Sequence, residues 1–118
     1  MSEFKIAVVI YEPITSDSAH VYRGLKTALE FKQAGDDVVV LFDGSGVETL
    51  AAISAAGHPM NPLAVALEDN ILGACGFCAK SHHVAEPIAA AGWTLLTDNK
   101  GEASIRNLVV AGYQILNF

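Results

Sequence analysis

The stretch Phe4 to Tyr11 contains Ile6, Ala7, Val8, Val9 and Ile10 with no polar residue between them. Four of these five are β-branched, and together they leave no face of an extended strand for water. A strand of this kind is buried on both sides, as in a parallel sheet covered by helices. Val38 to Phe42 repeats the pattern, and Ile71 to Cys75 gives a shorter version of it.

The intervening segments read as helices. Thr15, Ser16 and Asp17 offer N-cap oxygens ahead of a helix over about Asp17 to Ala34. Its inward stripe is Val21, Leu25, Ala28 and Leu29, and Gly35 stands where a left-handed C-terminal residue is expected. Asp43 to Gly46 forms a turn, Val47 to Ala56 a short helix, and Leu63 to Glu68 a helical turn or two after a loop rich in glycine and proline. Gly76 to about His83 opens a helix that must stop before Glu86, because Pro87 cannot sit in its interior. A second short piece follows from Pro87 to Ala91. Trp93 to Thr97 is predicted as the fourth strand and Glu102 to Ala111 as a helix with Ile105, Leu108 and Val109 inward. Tyr113 to Phe118 is the last strand.

The resulting order, βαβαβαβαβ, implies one α/β domain over residues 1–118. The expected arrangement is a mostly parallel five-stranded sheet joined by right-handed crossovers, with helices on both faces. Hydrophobic residues make up 52% of the chain, enough for a full core and for some apolar surface between subunits. The net charge of −6 removes the electrostatic attraction that nucleic acids and anionic membranes require. No apolar run reaches the length of a membrane span, and Met1 to Lys5 lead directly into a strand rather than a signal peptide. Two cysteines three residues apart do not make a secreted disulfide framework, so the expected setting is a reducing cytoplasm.

In open parallel sheets the chemistry gathers at the carboxyl ends of the strands. Three polar or reactive segments fall there: Glu12 to Asp17, Asp43 to Gly46, and Cys75 to Cys78. Cys75 ends a strand and precedes a helix, where backbone amides favour a thiolate and hence a nucleophile. Cys78 lies three residues on and His82 four beyond that, so the three form one helical stripe. Cys75 is the candidate reactive centre, Cys78 a candidate resolving thiol, and His82 a candidate proton donor or shuttle. Two other chemistries share these residues. A Cys-x-x-Cys pair at a strand-to-helix turn also suits thiol–disulfide exchange. Cys75, Cys78, His82 and His83 are also candidate zinc or copper ligands, although adjacent helical histidines diverge by about 100°. That set needs completion by His20, His58 or another subunit. Buried, inert cysteines are the structural alternative.

The order of these segments resembles the DsrE/DsrF-like family, which includes the YchN-like and TusD-like proteins. The resemblance rests on the opening strand with its polar loop, the helix ending at Gly35, and Val38 to Phe42 followed by Asp43, Gly44, Ser45, Gly46 and Val47. Ala74, Cys75 and Gly76 after a strand, and the closing helix, Gly112 and strand to Phe118, complete it. Cys78 and the His82–His83 pair are where this chain departs from the family pattern. The resemblance implies a flavodoxin-like three-layer α/β/α fold and a homo-oligomer of trimeric or hexameric form. It also implies a sulfur-relay role, in which Cys75 carries sulfane sulfur as a persulfide between a protein or small-molecule donor and an acceptor.

No cofactor site is expected. The Asp43 to Gly46 turn lacks the lysine and spacing of a phosphate-binding loop and reads as a tight strand-to-helix turn, with Asp43 bordering the cysteines. Glu12 and Asp17 read as turn and cap groups, His20 as a surface or interface residue, and Trp93 as a packing residue whose N–H needs a partner.

Overall fold

A computed structural model describes residues 3–118; Met1 and Ser2 lie outside the described residues. The strands are β1 (Lys5–Ile10), β2 (Asp37–Phe42), β3 (Ile71–Cys75), β4 (Leu95–Leu96) and β5 (Gln114–Asn117). The helices are α1 (Ser18–Gln33), α2 (Val47–Ile53), α3 (Asn61–Ala66), α4 (Gly76–Ser81), α5 (Ala85–Ala90) and α6 (Ile105–Val110). A single 3₁₀ turn, Gly44–Gly46, leads into α2. The sheet has the order β4-β3-β2-β1-β5, and every neighbouring pair is parallel. The three-layer α/β class expected from the run-and-helix pattern is the observed one.

The order explains where the helices go. From β1 to β4 the chain steps steadily across the sheet, so right-handed crossovers put α1 to α5 on one face. The last crossover runs back from β4 to pair β5 with β1, which puts α6 on the other. The central strands carry the core: Ile6 to Ile10 are at most 2% exposed, and Val40, Leu41 and Phe42 are equally buried. On α1 the expected stripe is present, with Val21, Leu25 and Ala28 fully buried and Leu29 packed at its margin. Each such valine or leucine contributes about 1.5–3 kcal/mol relative to exposure. Asp17 caps α1 by accepting from the His20 N–H at 3.1 Å.

Several boundaries differ from the sequence reading. The fourth strand shrinks from five residues to Leu95–Leu96, because it lies at the sheet edge and pairs only with Ala74 and Cys75. Trp93 instead turns to Ser54, donating its indole N–H to the Ser54 Oγ at 2.7 Å. Pro87 does not start α5. It sits in the first turn of a helix beginning at Ala85, where its missing N–H is not needed. α6 begins at Ile105 rather than Glu102, since Ser104 is its cap and accepts from the Asn107 N–H. On α6 only Leu108 is buried; Val109, expected inward, is 57% exposed. No helix among the described residues is long and apolar enough to cross a membrane.

Gly46 is the tightest point of the fold near the strand ends. A Cβ there would stand 1.9 Å from the carbonyl oxygen of Ile10. The 3₁₀ turn therefore closes against β1 only because residue 46 has no side chain. Gly57, by contrast, has nothing within 4 Å of its Cβ position. Gly46→Ala is expected to destabilise the chain by more than ~2 kcal/mol in urea unfolding, while Gly57→Ala stays within ~0.5 kcal/mol.

Candidate functional site

The sheet register assembles the site. Ile10 is opposite Phe42, and Phe42 is opposite Ala74. The next residue on each strand is Tyr11, Asp43 and Cys75, so these three stand side by side at the carboxyl edge. Adjacent strands are about 4.8 Å apart, which brings their side chains within mutual reach. Two packed connections hold this edge in place. Thr49 of α2, fully buried, donates its hydroxyl to the Glu12 carbonyl at 2.7 Å. The Asp43 carboxylate accepts from the Gly44 N–H at 2.8 Å, which starts the 3₁₀ turn.

Cys75 is the last residue of β3 and the N-cap of α4. Its side chain is 1% exposed. The amides of α4 were expected to face its sulfur, but the segment 97–104 changes that arrangement. The Gly101 carbonyl takes the Phe77 N–H at 3.0 Å, and the Ala103 N–H points at Cys75 Sγ instead, at 3.4 Å. This segment can lie over the start of α4 because residue 76 is glycine. A Cβ there would meet Thr97 Cγ2 at 2.8 Å and the Leu96 carbonyl at 3.1 Å. The stabilising dipole at Cys75 is thus one backbone amide from a distant loop rather than a helix terminus.

Cys78 is half-buried and is the more accessible of the two thiols. Its Sγ donates to Asp43 Oδ1 at 3.6 Å. The sulfurs of Cys75 and Cys78 and a carboxylate oxygen of Asp43 all lie within 4.8 Å of one another. Both cysteines are free. Burial, a hydrogen bond to Cys75 and its charge, and the Asp43 carboxylate push the Cys78 thiol up to about 12, against a smaller downward pull from the Gly44 amide. Tyr11, beside the cluster, has its phenol raised by burial, by Asp43 and by Cys78.

His82 does not join this cluster. It is the C-cap of α4, and its Nδ1 donates to Glu48 Oε2 of α2 at 2.5 Å. His83 follows with a left-handed φ of 59° as the chain leaves the helix. The expected stripe of Cys75, Cys78 and His82 therefore divides: the thiols meet Asp43, and the imidazole meets Glu48. His20 pairs with Glu12 at 3.2 Å, and the His58 Nδ1 accepts the Met60 N–H at 3.0 Å. Neither these two histidines nor His82 and His83 enter the group of donor atoms around the thiols. Sequence reasoning had placed Asp43 at the border of the site. It did not find Tyr11, Ala103 or Glu48, which enter through pairing register and long-range loop packing.

Searches against family models, curated proteins and solved structures find no match for this chain.

Because Cys78 holds its proton, its reactivity follows a late titration. Its carbamidomethylation at pH 8, followed by peptide mass spectrometry, is expected to be about 100-fold or more slower than that of a free cysteine. The rate should keep rising with pH through pH 10; a plateau near pH 8 or 9 would contradict the arrangement.

Proposed function

We propose that this chain is a sulfur-relay protein of DsrE/DsrF-like kind that carries sulfane sulfur as a persulfide on Cys75. The observation that carries the reading is the contact between two free thiols at the carboxyl edge of a parallel sheet. In this reading Cys75, whose sulfur takes the Ala103 N–H, is the nucleophile of the pair. Its thiolate attacks the outer sulfur of a donor persulfide. A new S–S bond forms at Cys75, the donor S–S bond breaks, and the donor leaves as a thiolate. An acceptor thiolate then attacks the outer sulfur of the Cys75 persulfide and regenerates the Cys75 thiolate.

The surroundings support this division of labour. The Ala103 N–H at Cys75 Sγ stabilises negative charge on that sulfur. The Cys78 S–H is a nearby donor for the outer sulfur of a persulfide. Burial of Cys75 shields such a species from oxidants, and approach runs past the half-buried Cys78. Cys78 also has a route of its own. Attack on the inner sulfur would expel hydrosulfide and leave a Cys75–Cys78 disulfide, which an external dithiol must reduce. In this reading the compartment is a reducing cytoplasm.

The same reading makes the chain a homo-oligomer of three or six copies. Phe4, Val65, Phe77, Val109 and Val110 are each more than half exposed, as apolar residues at subunit contacts are in an isolated chain. A monomer mass in light scattering would remove this part.

Incubation with a persulfide donor, followed by intact-mass and peptide analysis, tests the relay. One added sulfur atom on Cys75 is expected. Cys75→Ser abolishes it, and Cys78→Ser retains it with a longer lifetime. Absence of the adduct from the wild-type chain would sink the reading.

A further inference from the structure

We infer that Asp43, Cys75 and Cys78 form a binding site for a thiophilic divalent cation of the zinc type. This goes beyond the relay reading by joining Asp43 to the two thiols that reading uses. Three donor atoms from three elements converge within 4.8 Å: a carboxylate oxygen at the end of β2, a sulfur at the end of β3, and a sulfur on α4. Around a tetrahedral zinc ion with Zn–S bonds near 2.3 Å, two sulfurs are about 3.8 Å apart and a sulfur and an oxygen slightly less. The observed spread is thus within about 1 Å of a closed ligand set. The donors sit on packed, largely buried elements, so little ordering is required to bring them together.

The outer contacts match those of a metal site. Metal-bound thiolates and carboxylates are held by hydrogen bonds from their surroundings. Here the Ala103 N–H meets Cys75 Sγ, and the Gly44 N–H meets Asp43 Oδ1. Charge points the same way. Three acidic groups share one corner, and Asp43 has no ion-pair partner among the described residues; their ion pairs are His20 with Glu12 and His82 with Glu48. A divalent cation supplies the missing positive charge, and each ligating thiol releases its proton to solvent. The thiolates favour zinc or copper(I) and the carboxylate favours the harder ion, which selects zinc. Three protein donors leave the fourth position of a tetrahedral ion to solvent or substrate. Three protein ligands and one open position are the pattern of reactive rather than purely structural zinc.

This ligand set replaces the histidine-based one suggested by sequence spacing. His82 is engaged by Glu48, so the ligand opposite the cysteines comes from the neighbouring strand instead of the following helix turn.

The test uses the full chain, reduced and freed of metal. Cobalt(II) is the optical probe and zinc the competitor. One cobalt per chain is expected, with thiolate-to-cobalt charge transfer in the near ultraviolet and the intense visible bands of a tetrahedral site. Zinc should displace it. Cys78→Ser should weaken zinc binding by about 100-fold or more, and Asp43→Asn by about 10-fold with the charge transfer retained. Circular dichroism establishes that each variant is folded. Should a variant fail to fold, the thiolate-to-cobalt charge transfer of the wild-type chain and its loss on zinc addition give the answer without any substitution. Cobalt binding without charge transfer, or charge-transfer bands that zinc does not displace, overturns the assignment. Persulfide loading measured with excess chelator reports on the relay separately, so the two readings fail independently.

Discussion

All five strands run in the same direction, so their carboxyl ends share one edge of the sheet. This constraint produces the site. The register that sets Ile10 beside Phe42 and Phe42 beside Ala74 also sets Tyr11, Asp43 and Cys75 in a row. The side-chain period of a strand is two, so a slip of one residue would turn one member of that row toward the opposite face. Ile6 to Ile10 and Val40 to Phe42 are close-packed on both faces, so a slip that exchanged side chains of different volume is resisted by packing. Core packing and site geometry are therefore the same fact seen at two ends of the strands.

The corner built this way joins Asp43, Cys78 and Tyr11, and among the described residues no cationic side chain pairs with Asp43. Asp43 is a carboxylate, Cys78 holds its proton far above the usual thiol range, and the phenol of Tyr11 is also raised. The Gly44 and Ala103 amides donate to Asp43 and Cys75, and the Cys78 thiol adds a donor to Asp43. Such a corner lowers its energy by keeping protons or by taking a cation. Persulfide chemistry and metal binding are two uses of one electrostatic arrangement, and they compete for Cys75.

Much of the fold was legible because it depends on local pattern. The continuous apolar runs at Ile6–Ile10 and Val38–Phe42 mark strands buried on both faces, and Asp17 marks a helix start by its capping oxygen. Cys75 was placed at a strand end for the same reason. What was not legible depends on partners far along the chain. Trp93, expected in the fourth strand, instead meets Ser54, thirty-nine residues earlier. The dipole at Cys75 comes from Ala103, twenty-eight residues later. His82 leaves the thiols for Glu48, which belongs to another helix. Helical spacing rightly put Cys78 near Cys75, but it carried no information about what the next turn would meet.

The central claim is that Cys75 and Cys78 present two sulfurs close enough to act on one atom. Reaction with a monosubstituted trivalent arsenical measures this directly, because a stable cyclic adduct needs two thiols on the same arsenic. The account expects one arsenical per reduced chain, resistant to excess monothiol and lost when either cysteine is replaced by serine. An adduct that a monothiol strips away, or one that survives loss of either sulfur, would contradict it.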